Sequence, residues 1–396
     1  MAGALPVQDA PTGAIPPARE PGHEVLWNGV FYGLSGYAKA NREIMLRLAN
    51  TFRVAITHAI DLPAPDAYTK MRVDQHTRVP VGERAPLVRF FGPWAEKKRH
   101  AARAARILYT MMETQNVHPT MIGLMNDNYD EIWCPTKWNA DRFTASGLVR
   151  PTRVMPLGVD PFIFANHGPA WLPTCRLLTT KYAGTEEVPE ADFIFIYVFL
   201  PSFRKDAGFL MEAFQEAFAG DPRTGLILCT THSRAQDKET ETLRPNDSGP
   251  VWVLHGQYTE HDMAAFYRSC HAYVCTSKGE GWNLPMCEAA ACGLPVIVPR
   301  SSCHPDVAQD DALYFDPEGW ESVMGAEKIS PWYTNMPWPI HGKHSRAQLV
   351  AQLRAVRKGT PDVTARAARF THRLRTETTW DHAARGVASR LVEVQA

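Results

Sequence analysis

Between Ala272 and Val298 the chain reads as strand, loop, helix and strand, an order that few folds accommodate without a parallel sheet. The apolar segment Ala272-Tyr273-Val274-Cys275 leads through a short glycine-containing loop to Pro285 and an alanine-rich run that stops at Gly293. The buried-looking strand Leu294-Pro295-Val296-Ile297-Val298 follows. Pro285 suits the first helical position, where its missing N–H has no intrahelical partner, and Gly293 suits the left-handed position that ends a helix. The helix is therefore expected to begin near Pro285. Backbone N–H groups from Gly281, Trp282, Asn283 and Leu284, with the positive end of the helix dipole, would face the loop and favour a phosphate there. Glu280 precedes the loop and Glu288 is expected in the first helical turn, so two carboxylates flank the anion site and can accept hydrogen bonds from vicinal hydroxyls. One phosphate and two sets of sugar hydroxyls describe a nucleotide sugar. For a lone pair of glutamates a solvated loop residue and a dipole-complementing helix residue would be the better account. The cap and the glycine loop around this pair tilt the balance toward a ligand.

The same alternation runs through both halves of the chain. With 396 residues, 45% of them hydrophobic, the chain is long enough for two domains, each with its own core. The first half opens with a strand near Glu24 to Val30, then Gly33-Leu34-Ser35-Gly36-Tyr37, then a helix with Tyr37, Ala40, Ile44, Met45 and Leu48 on one face, then a strand from Arg53 to Ile60. Further strands are expected at Leu87 to Phe91, Ala105 to Met111 and Glu131 to Pro135. The glycine turn also argues against a nicotinamide enzyme, because Gly-x-x-Gly lacks the three-glycine fingerprint and no acidic residue closes the next strand. The second half opens with Phe193 to Phe199, an apolar run fit for a central parallel strand. Ser202, Arg204 and Lys205 follow it at the carboxyl edge of the sheet, where open α/β sheets bind ligands, and a helix through Leu210, Phe214 and Phe218 comes next. Strands at Leu226 to Cys229 and Val251 to Leu254 are separated by a polar insertion from Arg234 to Pro250.

Charge and cysteine usage narrow the classes. Lys plus Arg and Asp plus Glu are both 42, which leaves no global electrostatic case for a nucleic-acid partner. The eight cysteines form no C-x-x-C pair and no zinc-spaced cluster with histidine, and read as reduced thiols of a cytoplasmic protein. No metal site is expected. No stretch approaches the roughly 18 consecutive apolar residues that span a bilayer, so no transmembrane segment is expected, and peripheral attachment to a membrane stays open. Residues 1–22, rich in Ala, Pro and Gly, are expected to form a disordered leader.

The string Ser277-Lys278-Gly279-Glu280-Gly281-Trp282-Asn283-Leu284-Pro285 through Glu288-Ala289, then Ala291-Cys292-Gly293-Leu294-Pro295-Val296-Ile297, resembles the E-x7-E region of the retaining GT-B glycosyltransferases of family 4. The resemblance implies an α/β GT-B fold of two Rossmann-like domains facing an interdomain cleft. Domain bounds on that basis are 23–160 for an acceptor-binding domain, joined by a returning helix in 378–396, a linker over 161–190, and 191–377 for a donor domain. It further implies that Glu280 contacts the donor sugar, that Glu288 binds the ribose hydroxyls, and that amides from Gly281 to Leu284 hold the sugar and diphosphate. Asn283 stands where family members carry glycine, and Asn tolerates the left-handed conformation glycine would supply. Ser35 and Gly36 correspond to a turn used near the diphosphate or acceptor. Lys205 matches a phosphate-binding lysine, whereas the arginine expected several residues earlier is absent and Arg204 is its candidate substitute. The run Tyr129 to Thr136, with Met155-Pro156-Leu157-Gly158-Val159-Asp160, resembles the close of the amino-terminal domain, and Trp380, Ala384, Val387 and Leu391 resemble one face of the returning helix.

Family members often carry a histidine near the reacting carbon. His118 is the candidate for it, with His58 and Glu113 as rivals at the same sheet edge. The implied chemistry is displacement of UDP or GDP from a hexose by an acceptor hydroxyl on a glycan, a lipid-linked sugar or a small molecule. It proceeds with retention and without metal or other cofactor, with electrostatic support from Lys205. Two readings stand beside it: a nucleotide-sugar or glycan-binding protein without turnover, and an epimerase or phosphorylase on the same scaffold.

Overall fold

The computed structural model describes residues 8–9, 23–33, 35–60, 62–92, 103–178, 186–230, 243, 249–328 and 330–396. The chain divides into two compact units, Met1–Gly158 with Thr378–Ala396, and Val159–Glu377.

The first unit contains β1 (Gln8–Asp9), β2 (Glu24–Gly29), α1 (Gly36–Leu48), β3 (Arg53–His58), α2 (Ala67–Asp74), β4 (Leu87–Phe90), β5 (Arg106–Tyr109), α3 (Pro119–Asn128), β6 (Glu131–Cys134), α4 (Lys137–Ala145) and β7 (Thr152–Val154). Its strands form one sheet in the order β1-β7-β6-β5-β4-β2-β3, and every pairing is parallel. The first helix buries Ala40, Ile44, Met45 and Leu48, the face its periodicity predicts. Ser35 caps it, accepting the Ala38 N–H at 3.2 Å. The helix Trp380–Gln395 belongs to this unit, packs on α1 and buries Trp380, Ala384, Val387 and Leu391. Glu131, buried on β6, anchors its far end through Arg390 and also meets Arg153 at 2.9 Å.

The second unit contains β8 (Cys175–Leu177), β9 (Glu186–Glu187), β10 (Phe193–Phe199), α5 (Ala207–Ala217), β11 (Thr224–Thr230), β12 (Val251–His255), α6 (Glu260–Ser269), β13 (Ala272–Val274), α7 (Leu284–Ala291), β14 (Val296–Pro299), α8 (His304–Ala308), β15 (Leu313–Phe315), β16 (Trp320–Ser322), β17 (Pro337–Pro339), α9 (Lys343–Lys358) and α10 (Pro361–Thr376). Its main sheet runs β15-β14-β13-β10-β11-β12-β8-β9. The six strands from β15 to β12 pair in parallel, and β8 and β9 are antiparallel additions at the edge. The central strand β10 is buried from Ile194 to Phe199, as an apolar run with helices on both faces of its sheet must be. A separate pair, β16 with β17, rises between β15 and α9. The helix Trp380–Gln395 is α11 in chain order.

Several expectations need correction. The stretch 161–190 was expected as a linker, yet Cys175–Leu177 and Glu186–Glu187 extend the second sheet. The edge strand β9 pairs on one side only and is two residues long, and β8 inside it is three, so neither is long enough to leave an alternating pattern. Of the disordered leader expected over 1–22, only Gln8–Asp9 is described, and it pairs with β7; the remainder lies outside the described residues. So does most of the polar insertion 234–250. Strands 2 to 6 stop one to two residues short of their expected carboxyl ends, whereas β11 and β12 run longer. Among the described residues no helix is long and apolar enough to cross a membrane.

Candidate functional site

The site is built at the carboxyl ends of β10 and β13. After β10 the chain makes a single tight turn over Phe203–Lys205, and Asp206 then takes a left-handed conformation, φ 51, to enter α5. The backbone carbonyls of this turn are fastened from below and from β13. Tyr197 donates its hydroxyl to the Lys205 carbonyl at 2.9 Å, Thr276 donates to the carbonyls of Lys205 and Asp206 at 3.1 and 3.0 Å, and the Lys278 N–H reaches the Arg204 carbonyl at 2.7 Å. Asp206 is itself held by His341, whose Nδ1 lies 2.9 Å from Oδ2 and whose ring packs between Phe209 and Phe315. The two cations are thereby presented with little freedom, which is what preorganised charge requires.

Both cations meet Glu280. Lys205 Nζ forms an ion pair with Oε1, and Arg204 Nη1 lies 3.2 Å from the same oxygen while also donating to the Gly279 carbonyl. All three side chains are largely buried, with 11% exposure for Glu280, 12% for Lys205 and 16% for Arg204. Burial pushes the Glu280 carboxyl up, but the Lys205 ammonium and the Arg204 guanidinium outweigh it and hold the group at about 2. The carboxylate is therefore ionised at any ordinary pH, and its charge is matched within the cluster.

The loop after Glu280 leads into α7, which begins at Leu284 with Pro285 one position further in than expected. The reason is Asn283. It adopts φ 66 and ψ 67, the left-handed geometry, and its Oδ1 caps the helix by accepting the Met286 N–H at 3.3 Å. Gly293 closes the same helix at φ 100. Glu288 lies in the second turn of α7 rather than the first, is buried, and accepts from the Tyr267 hydroxyl at 3.5 Å. Gly281, Trp282 and Leu284 are buried in the same loop.

The structure thus gathers Arg204, Lys205, Glu280, Gly281, Trp282, Asn283, Leu284 and Glu288 in the second unit. Ser35, Gly36 and His118 are in the first unit, where Ser35 and His118 are helix caps: His118 Nδ1 accepts the Thr120 N–H at 3.3 Å ahead of α3. His58 lies against Tyr32, the rings tilted by 33° with centroids 5.0 Å apart, and Glu113 is half-buried on the loop after β5. Thr276, Asp206, His341, Ser302 and His304 escaped the sequence reading. Their partners are distant in the chain, and the run Ser301-Ser302-Cys303-His304-Pro305 carries only turn composition.

Two buried groups make stability depend on pH. Burial pushes the His304 imidazole down from 6.5 to about 4. The unfolded chain then takes up the proton first, so this contribution is complete above pH 6.5 and is lost as pH falls toward about 4. Glu280 contributes in the same direction over a lower window, complete above 4.5 and lost toward about 2. Thermal unfolding followed from about pH 7.5 to about pH 3 should show an upper limb in the parent that is missing in His304→Gln. Identical pH slopes in the two proteins would refute the assignment.

Residues 192–329, which take in Lys205, Glu280 and Glu288, match the family described as Glycosyl transferases group 1. The O-antigen chain mannosyltransferase B of Escherichia coli is 30% identical over 73 residues, 18% of this chain and 19% of that protein. The serotype-specific mannosyltransferase WbdA of Escherichia coli is 28% identical over 140 residues, 35% of this chain and 17% of that protein. The chain therefore spans less than a fifth of the length of these curated relatives. Among solved structures, Anabaena HepE in complex with UDP and glucose matches with a TM-score of 0.63 at 13% identity, over 94% of this chain and 100% of that one. The fold is GT-B. Sucrose-phosphate synthase from Thermosynechococcus elongatus shares it, with a TM-score of 0.64 at 12% identity over 94% of this chain and 98% of that one. In GT-B terms the unit formed by Val159–Glu377 is the one that carries the matched segment and the charged cluster.

Proposed function

We propose that the chain is a glycosyltransferase that moves a hexose from UDP or GDP to an acceptor hydroxyl, with retention of configuration and without a metal ion. The observation that carries this is the buried cluster of Lys205, Arg204 and Glu280 immediately ahead of a helix start whose amides are free to face a diphosphate. The similarity of residues 192–329 to group 1 glycosyl transferases supports the reaction class, and the curated relatives' names favour mannose among the hexoses to be tried.

In this mechanism the bond between the sugar's anomeric carbon and the diphosphate oxygen breaks as the acceptor oxygen bonds to that carbon on the same face. The acceptor's proton passes to a departing phosphate oxygen. Charge accumulates on the leaving diphosphate, and Lys205, Arg204 and the amides of Gly281 to Leu284 stabilise it. Glu280, released from the cations by the incoming phosphates, accepts hydrogen bonds from the sugar hydroxyls, and Glu288 accepts from the ribose.

A panel of UDP-glucose, UDP-galactose and GDP-mannose, read by thermal shift and then by slow release of nucleoside diphosphate, tests the proposal. One donor should stabilise the protein and be hydrolysed, and chelation of divalent ions should leave the rate unchanged. Stabilisation without release would favour a binding protein, and no stabilisation by any donor would end the donor-site assignment. Magnetic resonance of the transferred sugar's anomeric proton decides retention.

A further inference from the structure

The loop from Glu280 to Asn283 is short, and its shape is imposed from a turn that the proposed mechanism does not use. That turn, Ser301 to His304, follows β14 and includes Ser302 in the left-handed region at φ 51. At one end of the loop the Glu280 N–H donates to Ser302 Oγ at 3.2 Å. At the other end the His304 ring, fully buried, meets the Asn283 amide group at 3.0 Å. The hydrogen-bond partners determine the tautomer. Nδ1 of His304 lies 3.0 Å from the Ser301 carbonyl, which can only accept, so Nδ1 carries the proton and Nε2 is left as an acceptor. Asn283 Nδ2 donates to that Nε2, while Oδ1 faces the Met286 N–H at 3.3 Å. His304 thus orients the side chain that caps α7, on a residue held at φ 66, where a non-glycine residue stays only when its surroundings enforce it.

We propose that Ser302 and His304 are positioning residues for the donor loop: they pin its two ends in the one shape that turns the amides of Gly281 to Leu284 toward a diphosphate. This rests on the donor site proposed above.

Hydrogen exchange of segment 279–287 in the ligand-free protein tests the inference independently of any nucleotide. His304→Phe keeps the ring and removes the acceptor, and should speed exchange in this segment. It should also weaken UDP or GDP binding by about tenfold, the loss expected for one hydrogen bond. His304→Gln restores an acceptor and should recover both. In an Asn283→Gly background His304→Phe should add little, because the partner it acts through is gone. Should His304→Phe not fold, Ser302→Ala removes a single hydroxyl and should loosen the amino-terminal half of the segment. Unchanged exchange in the folded variants, no rescue by Gln, or additive effects of the Asn283 and His304 substitutions would each overturn the inference. A parent protein that binds no nucleotide, with exchange still sped by His304→Phe, would overturn the proposed function and leave the positioning role standing.

Discussion

Lys205→Ala is expected to lower turnover by about 100- to 1,000-fold while changing the donor KM by less than about tenfold. The asymmetry follows from when the ammonium matters. In the resting cluster Lys205 is already engaged by Glu280, so ground-state binding gains little from it. As the sugar bond breaks, negative charge builds on the diphosphate, and a fixed, dehydrated cation acts most strongly then. Removing it also strips the buried Glu280 carboxylate of its nearer cation, leaving the Arg204 guanidinium at 3.2 Å, which costs stability. The double variant Lys205→Ala with Glu280→Gln should therefore melt higher than Lys205→Ala. Glu280→Gln by itself separates the two tasks of the cluster: it should bind free UDP or GDP more tightly than the parent, because no carboxylate competes for the cations, and still turn over poorly for want of the sugar contact. Steady-state kinetics with calorimetric titration of the diphosphate read all of these. A Lys205→Ala protein with normal kcat and only a raised KM would refute the charge-stabilising role.

Gly158→Ala should be the most damaging single methyl in the first unit. A Cβ at Gly158 would sit 2.3 Å from the Thr379 carbonyl carbon and from the Trp380 backbone nitrogen. Both obstacles are backbone, at the start of a helix anchored by the fully buried Trp380, so no side chain can rotate away. Overpacking of this kind costs about 3 kcal/mol when the backbone must move. Thermal unfolding should show the first unit melting several degrees lower, and a melting curve matching the parent's would show that α11 is loosely held. Gly208, whose added Cβ would meet nothing within 4 Å, is the control.

How much of this was legible depended on where each residue's partners lie. Strand β10 was readable to its ends, Phe193 and Phe199, because a central parallel strand announces itself by being apolar on both faces. The left-handed Asn283 was readable through the resemblance, which sets it where family members carry glycine, a conformation that asparagine tolerates. The cations Arg204 and Lys205 could be placed at the sheet edge, but their bonding to Glu280, across 75 residues for Lys205, belongs to tertiary structure. The resemblance gives Lys205 a phosphate to bind, whereas the structure also joins it to Glu280. His304 could not be found at all: its partner Asn283 is 21 residues away, and a histidine in a turn carries no periodic signal. The short strands β8 and β9 were lost for the opposite reason, since prolines on either side made a short paired segment look like a connector.

Gly158 and Thr379 lie against each other, and everything between Val159 and Glu377 forms the second unit. That unit is thus one uninterrupted stretch nested inside the other. During synthesis residues 159–377 are all made before α11, so the first unit lacks the helix that packs on α1 until the whole of the second has been translated. The half of the protein that starts first thus depends, for one of the helices packed on α1, on a segment made after the whole of the other half.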